Sequence, residues 1–247
     1  MTNNDLPKKA MLLAAGEGTR LRPLTDRIPK CMVPLGGKPV LEHNIERLRS
    51  FGITELMINL HHMPQAVQEY FGDGSKWGVS INYSVEEDLL GTAGGVKNVE
   101  SFFDEAFLVW YADNLSNIDL GKLYAFHRMK AGKATVALFY REDPTASGIV
   151  GLDQNQQITR FLEKPTADQV FSHWVSAGIL VLEHSVLDFI PPGIASDFGH
   201  DVLPAMLTDG EPLFGYSMDE CENLLWIDTP GDLERIQESF MRRHNTP

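Results

Sequence analysis

Near its beginning the sequence reads Leu12-Leu13-Ala14-Ala15-Gly16-Glu17-Gly18-Thr19-Arg20-Leu21-Arg22-Pro23-Leu24-Thr25, and Pro29-Lys30 follows shortly afterwards. An apolar strand ends there in small residues and runs into a glycine loop that carries two arginines and a lysine. The backbone amides of such loops form nests that bind phosphates, and nearby cations add counter-charge. The stretch therefore predicts a polyphosphate site, although a glycine turn alone is equally compatible with a structural role.

Two better-known nucleotide loops do not fit this stretch. Gly16-x-Gly18 after a strand also begins the dinucleotide-binding fingerprint, which needs Gly or Ala three residues after Gly18 and an immediate helix. Leu21 stands at that position, and Pro23 interrupts any helix. A Walker loop needs Gly-Lys-Ser/Thr, which the stretch lacks. What remains is a loop of outward-facing amides with Arg20, Arg22 and Lys30 as counter-charges.

The composition is that of an ordinary soluble globular protein. The chain has 247 residues and is 43% hydrophobic, which is enough for one large domain or two small ones. A net charge of -13 argues against a DNA or RNA partner, because no excess of Lys and Arg is available for a nucleic-acid backbone. Cys31 and Cys221 lack disulfide-framework or zinc spacing, which favours a cytoplasmic location. No apolar run has the length of a membrane span, so no membrane partner is expected.

Short apolar runs alternate with helical patterns, as in parallel strands joined by crossover helices. Helical patterns occur at residues 41–51, after Pro64, from Thr92, at 120–127, at 185–190 and at 201–207, and Thr229-Pro230 begins a last helix. The predicted strands are 9–14, 55–60, 79–84, 106–112, 134–140 and 175–182, with a hairpin formed by 149–152 and 157–162. Without a linker or repeat, residues 1–247 are predicted to form a single domain.

Taken in order, these motifs resemble the sugar-1-phosphate nucleotidylyltransferases. The opening signature of that family, L-A-x-G-x-G-T-R-L-x-P-L-T followed by P-K, matches Leu13 to Thr25 and Pro29-Lys30 without a gap. Further motifs follow in family order: Gly91-Thr92-Ala93-Gly94, Asp113, Glu163-Lys164-Pro165, Ala177-Gly178-Ile179, Asp201-Val202-Leu203-Pro204 and Trp226-Ile227-Asp228. The resemblance implies a Rossmann-like, glycosyltransferase-A-type α/β domain with a mixed central sheet and a small sugar-binding β-hairpin. Residues 1–115 would mainly bind nucleotide and residues 116–247 sugar phosphate.

The resemblance also implies a reaction and a site. A sugar 1-phosphate would attack the α-phosphorus of an NTP, giving an NDP-sugar and pyrophosphate. The oligomeric state stays open, with a homo-oligomer as one alternative because relatives often form dimers or tetramers. Arg20, Lys30 and Lys164 would be the catalytic cations, and Asp113 and Asp228 would bind Mg²⁺, a hard ion that prefers oxygen ligands. The nucleotide would lie against Ala14, Ala15, Gly16, Gly18, Thr19, Glu86, Gly91 and Thr92, and the sugar against Gly148, Glu163 and Gly178.

The nucleobase and the sugar stay open at this stage. A carboxylate at Glu86 suits the N1–H and N2–H₂ donors of guanine, which favours GTP. The sequence as a whole resembles the mannose- or heptose-1-phosphate guanylyltransferase branch, which also favours GTP. Thymidylyl, uridylyl or cytidylyl transfer, to another sugar 1-phosphate or a phospho-alcohol, is the alternative, as is a non-catalytic relative that binds NDP-sugars.

The link Asp228-Thr229-Pro230 lacks two residues that the family usually inserts there. The shorter link could change the direction in which the Asp228 side chain points.

Overall fold

The computed structural model describes residues 6–244, and its strands and helices alternate along the chain. The strands are β1 (Lys9–Leu13), β2 (Pro34–Leu35), β3 (Lys38–Pro39), β4 (Glu55–Leu60), β5 (Ser80–Val85), β6 (Phe107–Tyr111), β7 (Asn114–Ser116), β8 (Ala134–Tyr140), β9 (Gly148–Leu152), β10 (Ile158–Glu163), β11 (Trp174–Leu182), β12 (Leu213–Ser217) and β13 (Leu224–Trp226). The α-helices are α1 (Val40–Ser50), α2 (Pro64–Phe71), α3 (Gly91–Lys97), α4 (Leu120–Lys130), α5 (Leu203–Thr208) and α6 (Pro230–His244).

Within residues 6–244, the central sheet is mixed and has nine strands. Seven of them lie in the order β10-β9-β11-β6-β1-β4-β5, and β8 pairs with both β11 and β12. The pairs β6-β1, β1-β4 and β4-β5 are parallel, whereas β11 runs antiparallel to β6 and β8. Two small antiparallel pairs, β7-β13 and β2-β3, lie outside it. The predicted α/β class with a mixed sheet is therefore confirmed.

Both faces of the sheet are buried because helices pack on each of them, and successive strand residues point to opposite faces. On one face, Leu12 belongs to an apolar cluster with Leu41 and Ile45 of α1. On the other face, Met11 belongs to a cluster that includes Val96 of α3 and Met206 of α5. Helices on both faces thus hold the sheet rigid, and they leave the loops at its strand ends free for a site.

The principal predicted elements are confirmed. Every predicted strand agrees with the structure to within one residue at each end, and α6 begins at Pro230 as predicted, with Thr229 Oγ1 accepting from the backbone N–H of Asp232. The predicted helix at 185–190 is a 3-10 helix (His184–Phe189), and a π-helical turn (Phe198–Val202) precedes α5. Strands β2, β3, β7, β12 and β13 were not predicted. Residues 1–5 and 245–247 of the predicted domain lie outside the described residues, and its division at residue 115 stays a prediction.

The parallel strands bring their carboxyl ends to one edge of the sheet, where ligands bind in open α/β folds. The glycine loop follows β1, Glu86 follows β5 and Asp113 follows β6. The antiparallel pair of β7 and β13 brings Asp228, which follows β13, toward the same edge.

None of the helices within residues 6–244 combines the length and the apolar character that a membrane span requires.

Candidate active site

Two adjoining cavities lie at this edge of the sheet. The loop cavity, about 270 Å³, follows the glycine loop, and its lining includes Ala14, Ala15, Gly16, Lys30, Glu86, Gly91 and Thr92. The hairpin cavity, about 280 Å³, lies beside β9 and β10, and its lining includes Arg20, Gly148, Glu163, Lys164, Gly178 and Asp228. Four residues line both cavities: Thr92, Tyr111, Asp113 and Asp197. Two ligands placed in the two cavities would therefore meet at Asp113.

Gly18 holds the glycine loop in shape without lining either cavity. Its φ of +64° is left-handed, and a Cβ there would lie 2.9 Å from Thr25 Cγ2 and 3.0 Å from Lys30 Cβ. Thr25 Oγ1 donates to the Gly18 carbonyl at 2.8 Å. Thr19, also predicted to bind nucleotide, begins a 3-10 helix and likewise lies outside the linings. Gly18 and Thr19 thus shape the loop, and their binding role stays a prediction.

A cluster of cations and carboxylates occupies the junction of the cavities. Lys30 Nζ donates to Asp113 Oδ2, and it donates to Asp228 Oδ1 at 2.7 Å. Arg20 Nη2 also donates to Asp228 Oδ1, at 3.0 Å. Residues far apart in the sequence thus converge at one place, and Asp228, which precedes the short link, contacts both Lys30 and Arg20. Their roles in catalysis and metal binding stay predictions.

The electrostatics of Lys30 follow from this arrangement. Its side chain is only 12% exposed, and burial alone would lower its pKa because burial penalises the charged ammonium. Attraction to Asp113 and Asp228, with the hydrogen bonds to them, outweighs burial and raises the pKa of Lys30 above its ordinary value. The lysine therefore carries its full charge at neutral pH.

The three residues predicted to contact sugar all line the hairpin cavity. Gly148 pairs with Glu163 across the hairpin, and a Cβ at Gly148 would lie 2.6 Å from Glu163 Oε2. Gly178 lies in a bulge of β11 with φ +67°, where a Cβ would lie 2.8 Å from Asn114 Nδ2 and 2.9 Å from Tyr111 Cγ. Both glycines therefore allow close packing beside the cavity.

Glu163 and Lys164 end the hairpin with different exposures. Burial raises the pKa of Glu163, repulsion from Asp197 adds to the rise, and Lys164 and His200 oppose it only in part. Lys164 has a left-handed backbone (φ +46°) and an exposed side chain. Its Nζ lies 3.9 Å from Glu163 Oε1, a distance at which the attraction is weak. The ammonium of Lys164 is thus available to an anion in the cavity.

Glu86 is more constrained than the sequence indicated. It is only 5% exposed, its Oε1 accepts from Asn59 Nδ2 at 2.8 Å, and its Oε2 accepts from the Leu90 N–H at 3.0 Å. Asn59 Oδ1 in turn accepts from the Ala14 N–H at 2.9 Å. Glu86 thus connects the glycine loop to the loop before α3, and its contact with a nucleobase stays a prediction.

Sequence reasoning missed Asp197. Its Oδ1 accepts hydrogen bonds from the Thr92 N–H at 3.1 Å and from Thr92 Oγ1 at 2.9 Å. The Ser196 carbonyl accepts from the N–H groups of Ala93 and Gly94, and a Cβ at Gly91 would lie 2.5 Å from it. The cluster of glycines at 91–95 was the available signal, because glycine is typical where backbone segments approach closely.

Known proteins resemble this chain over most of its length. A family described as "Nucleotidyl transferase" matches residues 9–245. A UTP–glucose-1-phosphate uridylyltransferase of Synechocystis is 38% identical over 234 residues, covering 89% of this chain and 59% of that protein. A mannose-1-phosphate guanylyltransferase of Mycobacterium tuberculosis is 37% identical over 240 residues, covering 94% of this chain and 64% of that protein. The chain thus spans about three fifths of the length of these relatives.

Solved structures share the fold. HddC from Yersinia pseudotuberculosis has a TM-score of 0.79 at 21% identity, covering 94% of this chain and 99% of that one. A UDP-glucose pyrophosphorylase in complex with UDP-glucose has a TM-score of 0.83 at 18% identity, covering 96% of this chain and 100% of that one. These similarities confirm the fold class that the motifs implied. With the family match over residues 9–245, the chain belongs to the nucleotidyl transferase family.

Proposed function

We propose that this protein transfers a nucleotidyl group from an NTP to a sugar 1-phosphate and releases pyrophosphate. The observation that carries the proposal is the junction of the two cavities at Asp113, where Lys30 and Arg20 stand among carboxylates. Both substrates are polyanions, so the reaction is chiefly a matter of holding them together and offsetting their charge. The two relatives with nucleotidyltransferase names support the same reaction class.

The residues of the two cavities have different roles in this reaction. The glycine loop holds the triphosphate, Arg20 reaches it from the hairpin-cavity side of the junction, and Lys30 lies beside the α-phosphate. Lys164 holds the sugar phosphate, and Glu163 accepts hydrogen bonds from sugar hydroxyls. An oxygen of the sugar phosphate forms a bond to the α-phosphorus, while the bond from the α-phosphorus to the bridging oxygen breaks and that oxygen leaves with pyrophosphate. No protein nucleophile is needed.

We further propose that Asp113 and Asp228 hold one Mg²⁺. Both carboxylates reach the same ammonium, that of Lys30, so they converge on a single cation position. Among the described residues no group of three or more His, Cys, Asp or Glu could hold a metal, so phosphate oxygens and water would complete the shell. Such a shell suits Mg²⁺, which when bound offsets charge on the phosphates.

We propose GTP and mannose 1-phosphate as the substrates, in the cytoplasm. Each Glu86 oxygen accepts one hydrogen bond within the protein, and a carboxylate has about four acceptor sites. The remaining sites suit the two donors of guanine, and the Mycobacterium relative carries the matching name. UTP with glucose 1-phosphate is the second candidate, because the Synechocystis relative is as similar to the chain. A reducing compartment agrees with two free cysteines.

Pyrophosphate release tests the proposal. The protein is incubated with Mg²⁺, each of GTP, UTP, dTTP and CTP, and mannose 1-phosphate or glucose 1-phosphate, and with EDTA in place of Mg²⁺. We expect release to be fastest with GTP and mannose 1-phosphate and to stop in EDTA. Fastest release with UTP and glucose 1-phosphate would reverse the substrate assignment. Absence of release from every pair would reject the enzymatic function and favour a protein that only binds its ligand.

Asp113→Ala tests the residue at the junction. We expect pyrophosphate release to fall by about 100- to 1000-fold, the usual effect of removing one preorganised electrostatic group, while the circular dichroism spectrum stays unchanged. The matched control is Asp104→Ala, which removes a carboxylate near the other end of β6, where Asp104 pairs with Lys9 and is exposed. Near-normal turnover of Asp113→Ala would refute this assignment.

A further inference from the structure

Arg141 lines the hairpin cavity and lies outside the motifs that carry the family resemblance. It follows β8, and its guanidinium carbon lies 4.5 Å from the centre of the Trp226 ring. Its Nη1 donates to Ser147 Oγ at 3.3 Å. Its backbone is tied to His173, because the Arg141 N–H donates to the His173 carbonyl at 3.0 Å. The guanidinium is therefore held in place at the cavity wall rather than free in solvent.

The guanidinium of Arg141 forms no close ion pair among the side chains that the structure describes. Its charge acts on the exposed carboxylate of Asp143 only at longer range: hydrogen bonds from Thr145 are the main cause that lowers the pKa of Asp143, and attraction to Arg141 adds to it. The other cations of the two cavities each form an ion pair within 4 Å. Lys30 pairs with Asp113 and Asp228, Arg20 pairs with Asp228, and Lys164 pairs with Glu163. A cation that is held at a cavity wall with no carboxylate within 4 Å favours an anionic ligand.

The contacts of Arg141 connect it to the segment that follows Asp113 and to the turn that carries Lys164. Trp226, under the guanidinium, pairs with Asn114, which is adjacent to Asp113. Ser147, which accepts from the guanidinium, also accepts at its carbonyl from the Lys164 N–H at 3.2 Å. The guanidinium thus lies between the strand pair that carries Asp113 and the turn that carries Lys164.

We propose that Arg141 binds the phosphate of the sugar 1-phosphate, a phosphomonoester dianion, together with Lys164. This inference rests on the proposed function. A planar guanidinium donates two parallel hydrogen bonds to phosphate oxygens and is weakly hydrated, so an aromatic ring can hold its face while its edge binds the anion. Stacking on Trp226 adds a cation–π attraction that orders the side chain before the ligand arrives.

The test compares Arg141→Gln and Arg141→Lys with the unmodified protein, using the most active substrate pair from the panel. For Arg141→Gln we expect the KM of the sugar 1-phosphate to rise by about 10- to 100-fold, the range for charge-assisted hydrogen bonds, and the KM of the NTP to change less than twofold. Arg141→Lys should recover only part of the loss, because an ammonium cannot donate in the bidentate geometry.

The chain supplies a matched control. Arg160 also lies over an aromatic ring, with its guanidinium carbon 4.1 Å from the centre of Phe171, but it does not line the cavity. Arg160→Gln should leave both KM values unchanged. A purely structural role of Arg141 would raise both KM values together in Arg141→Gln. Either that result or a sugar 1-phosphate KM within twofold of the unmodified value would overturn the inference.

Calorimetric titration separates this inference from the proposed function. Absence of turnover from every pair in the unmodified protein would reject the proposed function alone. Mannose 1-phosphate, glucose 1-phosphate and free mannose are then titrated into the unmodified protein and Arg141→Gln. Binding of a sugar 1-phosphate but not of mannose, weakened at least tenfold in the variant, would support Arg141 as a phosphate ligand. Equal affinities in the two proteins, or no binding, would reject it.

Discussion

At the scale of single residues, the two glycines of the loop have different roles. Gly18 has φ +64° and no room for a Cβ, whereas a Cβ at Gly16 would have nothing within 4 Å. We expect Gly18→Ala to lower the free energy of unfolding by about 1–3 kcal/mol, the cost of a strained backbone position, and Gly16→Ala to change it by less than about 0.5 kcal/mol. Urea denaturation measures both, and equal losses would contradict this account of the loop.

Glu163 gives the stability of the protein a pH dependence. Its folded-state pKa is raised above the ordinary 4.5, first by burial, so the folded protein binds its proton more tightly than the unfolded chain does. The contribution of Glu163 to the free energy of unfolding therefore falls as the pH rises from about 4.5 through the folded pKa. We expect the unmodified protein to lose stability relative to Glu163→Gln across that window.

Urea denaturation at several pH values measures this difference. Glu142→Gln, which removes an exposed carboxylate outside the cavity, controls for the loss of a negative charge. A gain in the stability of the unmodified protein relative to Glu163→Gln as the pH rises would contradict the assignment.

At the scale of elements, hydrophobic periodicity predicted the strands whose own residues are mostly apolar. It missed strands that are fixed by pairing with distant segments of the chain. Strand β8 is a continuous apolar run, so its sequence alone identifies it. Strand β12 contains Gly215 and is fixed by parallel pairing with β8, where a Cβ at Gly215 would lie 2.5 Å from Leu138 Cδ1. Strand β13 has only three residues and depends on β7. Such pairings are tertiary and leave little periodic signal.

Asp197 joins the π-helical turn at 198–202 to α3, and its loss should loosen this junction. Asp197→Ala removes both hydrogen bonds to Thr92. Hydrogen bonds to charged groups are worth about 1.5–3 kcal/mol, so we expect hydrogen exchange at the Thr92 amide to accelerate at least about tenfold. The control is Asp209→Ala, an exposed carboxylate at the end of α5. Equal exchange at Thr92 in both variants would show that Asp197 does not hold the junction.

At the scale of the whole molecule, the family resemblance predicted residues that the fold places together, and their roles stay predictions. Lys30, Asp113 and Asp228 were predicted separately from their motifs, and the fold brings them into contact. Arg141 and Asp197 could not be predicted in this way. Their roles depend on Trp226 and Thr92, which are distant in the sequence and become neighbours only when the sheet forms.

We expect one NDP-sugar to occupy both cavities, with its diphosphate at their junction. The most direct test is a crystal structure of the protein with the NDP-sugar that the substrate panel identifies. We predict the base beside Glu86 and Gly91, the diphosphate beside Lys30 and Asp113, and the sugar hydroxyls at Glu163. A diphosphate bound away from Lys30 and Asp113, or a ligand confined to one cavity, would contradict this expectation.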